Sequence, residues 1–365
     1  MNSIQVHIAD DADNESILAL AEKCPQEGMI TYFVNRTPRF NTLQRLVDRD
    51  AFHFVARKED SVIGLVGVVH FPARVLDKSC KVGYMLDLKV KEAYRSGVTA
   101  FKLLRTAEDY IRKSDADMVI ANFLKDNKRP LVFTSGRGGL PPAHYLGTNR
   151  IFNIIPVLRM RLDRHYEIIK PTEKDIPELL ELYRKYAAGF GIAPTITEDR
   201  FRKYLESING LSLDNFLIAR ENGKIRAVTA LWDEHAYKNY KVLKLNFSIR
   251  VAKTILSFLS LFIRVPYPIR INEPLRQLSL VLYAHDDCPE ALDTLFRHAN
   301  NINRGSEYTL IMLYAQENDP IFRFMKKYTG ISLRTEMYVF AKETAVFEKL
   351  KENSSGVLFD LSMTI

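Results

Sequence analysis

The sequence predicts a mixed α/β fold (α+β in its sheet), built as two tandem copies of one unit. Three observations carry this. Short runs with period-2 alternation of apolar residues interchange with amphipathic segments of helical period along the whole chain. The opening pattern occurs twice: Ile4 to Ala9 alternates as a strand and leads into capping residues from Asp10. Tyr166 to Pro171 does the same and leads into Thr172-Glu173-Lys174-Asp175. The length of 365 residues suits two domains of ordinary size. Arg164-His165 is the expected boundary, giving units 1–163 and 164–365.

Composition narrows the class. A hydrophobic content of 47% and a charged content of 26% are those of a globular chain with substantial cores. Cys24, Cys80 and Cys288 lie far apart and are odd in number, which excludes a disulfide framework and fits a reducing compartment. No His, Cys or carboxylate group has metal-ligand spacing, so no metal is expected. The start, Met1 to Ile8, lacks the basic region and long apolar run of a secretory signal, and a cytoplasmic protein is the expectation. The net charge of +8 favours an anionic partner. A nucleic acid is disfavoured because no arginine-rich tail or recognition signature is present.

In the first half, Asp10 to Ser16 caps a helix that runs to Lys23 and is broken at Cys24-Pro25. Met29 to Val47 mixes aromatic and basic residues and reads as a helix-loop-helix lid. Phe52 to Arg57 and Val62 to Val69 pair across Lys58 to Ser61. A separate strand is expected around Cys80, then the central stretch from Gly83 to Ala107. There Tyr84 to Val90 is an apolar strand, Lys89, Lys91 and Arg95 form a basic turn, and Ser96-Gly97-Val98-Thr99-Ala100 opens a helix with Phe101, Leu104, Ala107 and Ile111 on one face. Backbone N–H groups and the helix dipole at such a start favour phosphate. Gly97 permits close backbone approach, and Arg95 adds a charge. A strand over Asp117 to Phe123, a short helix through Phe133, and closing strands at Arg150 to Val157 and Leu158 to Leu162 complete the half.

The central stretch resembles the pyrophosphate loop of the GNAT superfamily of acyl-CoA-dependent N-acyltransferases. Its strand ends Leu88-Lys89-Val90, and Arg95 and Ala100 occupy the family's loop positions. Val98 stands at the first glycine position, with Gly97 displaced by one. The element order of the first half is also that of a GNAT domain. A closer resemblance is to bacterial tandem-GNAT proteins, carried by Cys24-Pro25, Gly28-Met29-Ile30, Gly83-Tyr84 and Gly136-Arg137-Gly138-Gly139-Leu140-Pro141. The resemblance implies acetyl-CoA or a longer acyl-CoA as co-substrate. Its implied contacts are Leu88, Lys89, Val90, Arg95, Ser96, Gly97, Val98, Thr99 and Ala100, with Asn127 on the pantetheine arm.

The second half repeats the order, with helices over Asp175 to Ala187 and Thr197 to Ile208 and a hairpin across Glu221 to Lys224. Ile249 to Ile263 is strongly apolar but too short to span a bilayer. Burial against a core or domain interface is expected, ahead of an acyl-chain pocket or a membrane-surface contact. Leu278 to His285 matches the central strand, yet Asp286-Asp287-Cys288-Pro289-Glu290 follows it in place of basic residues. Carboxylates there repel a pyrophosphate, so the second half is expected to shape the substrate site rather than bind coenzyme.

N-acyl transfer needs an oxyanion donor, here a backbone N–H near Leu88 or Val90, and groups that move protons. The tyrosine that acts as acid in many GNAT enzymes is replaced by Thr134 in the first half and Met325 in the second. Tyr145 is a substitute acid and Asp87 the candidate base, its pKa expected to rise on burial. Tyr84 is a substrate anchor, and His70 and His144 are lesser bases. The leading reading is N-acyl transfer from acyl-CoA to an amine-bearing small molecule or peptide. Two alternatives stand beside it: an aminoacyl-tRNA-dependent transferase, and a non-catalytic acyl-CoA-binding sensor or scaffold.

Overall fold

A computed structural model of the chain describes residues 3–95, 98–125, 127, 131–136, 140–341, 345–352, 356–360 and 362. The first half opens with β1 (Gln5–Ile8), α1 (Asn14–Glu22), β2 (Ile30–Asn35) and α2 (Thr42–Val47). It continues through β3 (Phe52–Lys58), β4 (Ser61–Val75), β5 (Lys78–Val90), α3 (Thr99–Lys113), β6 (Met118–Leu124), α4 (Leu131–Thr134) and β7 (His144–Ile154). The second half holds β8 (Glu167–Ile169), α5 (Ile176–Ala188), β9 (Ile192–Pro194), α6 (Glu198–Ser207), β10 (Phe216–Glu221), β11 (Lys224–Trp232) and β12 (Asn239–Leu245). Then follow α7 (Phe247–Leu259), β13 (Pro274–Leu275), β14 (Gln277–His285), α8 (Pro289–Ile302), β15 (Leu310–Gln316), α9 (Phe322–Met325), β16 (Gly330–Ala341) and α10 (Ala345–Glu352).

Local chemistry explains most of these elements. The β10–β11 turn puts Asn222 at φ 51° and Gly223 at φ 79°, the left-handed pair that matches hairpin twist. α3 buries Leu103, Leu104, Ala107 and Ile111 on one stripe and ends with Arg112 and Lys113 beside its free carbonyls. α5 starts behind a capping box made by Thr172 and Asp175.

Twelve strands form one path, β1-β3-β4-β5-β6-β16-β7-β15-β14-β11-β10-β8, with β9 joined to the far end of β4. The two sequence halves therefore share a single sheet, and they do so by exchange. β16, from the end of the chain, lies between β6 and β7, pairing Ala341 with Met118 and Gly330 with Ile154. β7, from the first half, lies between β16 and β15, pairing Ile154 with Ile311. Each half thus closes on a strand supplied by the other.

Four expectations are corrected. The first half has one closing strand, β7, and 158–162 is no strand. The strand around Cys80 is not separate: β4 is long, turns at Leu76 (φ 53°), and the returning chain runs unbroken into β5. The expected helix-loop-helix at Met29 to Val47 is instead β2 followed by α2. β2 finds its partner far away in sequence, pairing with β12 in a small sheet β13-β12-β2 that bridges the halves. Finally, the apolar segment 249–263 is not buried. It forms α7 and a following turn, with Phe247, Phe258 and Phe262 at 80%, 63% and 73% exposure. Only Ile249 of the helix is fully buried.

Candidate active site

The central strand bends at Asp87–Leu88, which the sequence reading did not anticipate. β4 and β5 keep antiparallel register from Val75 and Lys78 up to Gly67 opposite Leu86, then resume at Leu65 opposite Lys89. Asp87 and Leu88 thus face the single residue Val66, a β-bulge, with Asp87 at φ 56°. A bulge takes a backbone group out of the ladder and aims it elsewhere. On its other side β5 runs parallel to β6, pairing only Val82–Met85 with Met118–Ala121. Beyond Met85 the two strands part, and a cavity of about 2170 Å³ opens between them. Leu86 to Val90 line one wall and Ala121 to Leu124 the other.

Of the sequence-predicted contacts, Leu88, Lys89, Val90, Arg95, Ala100 and Asn127 all line this cleft. Arg95 donates from Nε to the Val90 carbonyl at 3.0 Å, which holds its charge beside the start of α3. Thr99, the first residue of α3, is buried, while Val98 is exposed. Ser96 and Gly97 lie outside the described residues, as do Arg137, Gly138 and Gly139.

Asp87 sits at the centre of a buried charge cluster. Arg36 donates to it at 2.7 Å and Lys89 at 2.8 Å, while His53 Nε2 stands 3.9 Å away. Burial works to raise the carboxyl pKa, but the two cations and His53 outweigh it and hold the group well below its usual range. This corrects the expected rise. Removing one member of such a buried pair costs about 3–5 kcal/mol, because the remaining charge is left uncompensated. Burial in turn lowers the pKa of His53, which favours its neutral form. Tyr84 is 2% exposed, lines the cleft, and lies 4.6 Å from the ring of Phe359. Burial pushes its phenol well above the ordinary value, so at neutral pH it keeps its proton and can donate it in a hydrogen bond.

Other candidates fall elsewhere. Tyr145 is 50% exposed on β7, bonds Thr148 at 2.6 Å, and stands outside the cleft lining. His70 is tied to Asp48, and His144 stacks on Phe347 at 3.8 Å. Met325 is buried in the second half's core. Among the described residues no group of three or more His, Cys, Asp or Glu is placed to hold a metal.

Sequence reasoning missed a second polar group at the cleft's deep end. Lys238, 2% exposed, reaches Glu234 at 3.1 Å and the Ser362 carbonyl at 2.8 Å, and Gln277 donates to Glu234 at 2.8 Å. Burial lowers the Lys238 pKa. Lys238, Gln277 and Ser362 line the cleft, so the second half and the end of the chain both contribute to it. Arg36 and His53 were missed as well. Their only sequence signal is charge within an otherwise apolar context, which does not name a partner.

The profile of the acetyltransferase (GNAT) family matches residues 15–131, the segment that holds the bulge, α3 and the β5–β6 cleft. No curated protein matches the chain by sequence. Among solved structures, Saccharomyces cerevisiae N-myristoyltransferase with bound myristoyl-CoA superposes at TM-score 0.64 and 14% identity, over 99% of this chain and 85% of that one. A GCN5-related glucosamine N-acetyltransferase region of a fungal multi-domain β-N-acetylglucosaminidase gives 0.61 and 13%, over 93% of this chain and 38% of that one. At these identities the likeness is one of fold.

Proposed function

We propose that the chain is an N-acyltransferase that moves an acetyl or longer acyl group from acyl-CoA to an amine. The observation that carries this is the bulge at Asp87–Leu88 facing a cleft that opens where β5 and β6 part. Coenzyme would lie along Leu88 to Val90, with its pyrophosphate at Arg95 to Ala100 and its pantetheine arm passing Asn127. The amine nitrogen attacks the thioester carbon, the bulge amide takes the developing oxyanion, and the thiolate leaves. Asp87, held ionised, accepts a hydrogen bond from the incoming ammonium and orients it rather than storing its proton at neutral pH. Water in the cleft takes that proton before attack, which frees the nitrogen lone pair; the departing thiolate takes up a proton from solvent, and Tyr84 anchors the acceptor molecule.

The likeness to an enzyme crystallised with myristoyl-CoA, and a cavity far larger than an acetyl group, support testing long chains beside acetyl. We read the halves as tandem copies of the bacterial type, with 1–163 binding coenzyme and 164–365 shaping the acceptor site. Three free cysteines agree with a cytoplasmic location. The test is titration calorimetry with acetyl-, octanoyl- and myristoyl-CoA, followed by turnover with a panel of amines and N-terminal peptides. Binding of one acyl-CoA that Arg95→Glu weakens is expected. No binding, or binding indifferent to that change, overturns the coenzyme assignment, and binding without turnover leaves a sensor.

A further inference from the structure

The cleft leaves α7 unexplained. Phe247, Val251, Ile255, Phe258 and Phe262 recur at helical spacing along one outward stripe, exposed between 41% and 80%. Ile249, Leu256 and Leu259 fall on the opposite side and are buried or half-buried. Seven of the fifteen large apolar side chains exposed among the described residues lie between 247 and 263. A soluble protein rarely leaves so continuous a patch open to water without a use.

Charge selects the occupant. From His235 to Asn272 the sequence has seven Lys or Arg and no Asp or Glu. Lys238 is spent in its buried pair, and Arg270 meets Glu273. Lys244, Arg250, Lys253 and Arg264 have no carboxylate ion-pair partner among the described residues; Lys244 precedes the apolar stripe, Arg250 stands at its edge and Arg264 follows it, all three exposed, while Lys253 shares the half-buried side of Ile249 and Leu256. A helix of 13 residues is too short to cross a bilayer, and no helix among the described residues is long and apolar enough to do so. At the far end Leu261, Phe262 and Ile263 are consecutive and all exposed, so they point in different directions. A flat protein partner covers one stripe of a helix, whereas acyl chains can surround a tip.

We infer that α7 and the turn to Arg264 form an anchor that lies in the interface of an anionic membrane, with the aromatic stripe among the acyl chains and the exposed cations Lys244, Arg250 and Arg264 at the headgroups. The root of the helix supports a functional link. Ile249 packs with Val242, Leu245, Leu275 and Leu310, and two of these, Leu275 and Leu310, line the cleft. Docking would thus hold the cleft next to the lipid surface.

Flotation of the full chain with vesicles tests this, using phosphatidylcholine alone and phosphatidylcholine mixed with phosphatidylglycerol. Partition to the anionic vesicles is expected, weakening as salt rises. The double substitution Phe258→Glu with Phe262→Glu should reduce it by more than about tenfold, since each ring contributes apolar burial. Arg250→Ser with Arg264→Ser should reduce it several-fold and flatten the salt dependence. Circular dichroism checks that each variant folds, and Val251→Ser with Ile255→Ser is the second apolar variant should the first not fold. Equal partition of wild type and the apolar variant overturns the anchor. So does equal binding to neutral and anionic vesicles. A wild-type dimer that becomes monomeric in the variant, with no vesicle binding by either, would make this face a contact between copies.

Discussion

The two halves carry the same bend and use it in opposite ways. In β14, as in β5, the ladder to the preceding strand slips: Val228 opposes Ala284 and Ala230 opposes Val281. Leu282 there takes φ 50°, the counterpart of Asp87. In the first half the bend faces an open cleft. In the second, Asp360 from the end of the chain accepts the Leu282 amide at 3.2 Å. At the same strand end, Tyr186 sits 4.8 Å from the ring of His285 and donates to Asp319. The helix starts differ in the same sense. Asp286 and Asp287 bond Lys185, Asp286 also meets Arg226, and Glu290 pairs with Arg323. The two halves thus differ in what surrounds the bend: an open cleft in one, the chain's own side chains in the other. The bend belongs to the fold, and the chemistry depends on what the sequence places around it.

The comparison can be broken most severely at the two carboxylates. Asp87→Asn leaves Arg36 and Lys89 underpaired in the interior and should cost about 3–5 kcal/mol in denaturant unfolding. Asp360→Asn weakens one hydrogen bond and should cost about 1–2 kcal/mol. Equal losses would mean that the first site is no more strained by charge than the second. Next comes coenzyme binding. Arg95→Glu should weaken acyl-CoA binding by about tenfold or more, measured by calorimetry. Asp287→Lys, which removes an exposed carboxylate from the second helix start, should leave it unchanged.

Acid sharpens the contrast further. The folded pKa of Asp87 lies below its unfolded value of 3.8. The stability it contributes is therefore complete above that value and is lost as pH falls through the folded pKa. Unfolding midpoints should stay level through neutral pH and fall below about pH 4, less steeply in Asp87→Asn. For the same reason no limb of the rate profile near neutral pH should belong to Asp87. The smallest effect is expected at Tyr145→Phe, an exposed side chain outside the cleft lining, where activity should stay within about twofold. A larger drop there would restore that tyrosine as the acid.

Much was legible in the chain because it depends on neighbours in sequence. The Leu88-Lys89-Val90 strand end, the basic turn with Arg95, the amphipathic α3 and the acidic helix start at Asp286 are local patterns, and each stands where it was expected. The asymmetry between the halves was visible for the same reason. Other features depend on what arrives from a distance. β2 became a strand because β12, about two hundred residues later, supplies its hydrogen-bond partner, and its mixed aromatic and basic composition suits either state. The closing strands crossed between halves because pairing energy does not record which half a strand comes from. Asp87 went below its ordinary pKa because Arg36 and Lys89 converge on it, and burial alone would have sent it the other way. The apolar run at α7 announced that it must meet something apolar. Only the tertiary structure decided that none of the described residues covers its outer stripe, because the helix gives Ile249 alone to the fully buried core.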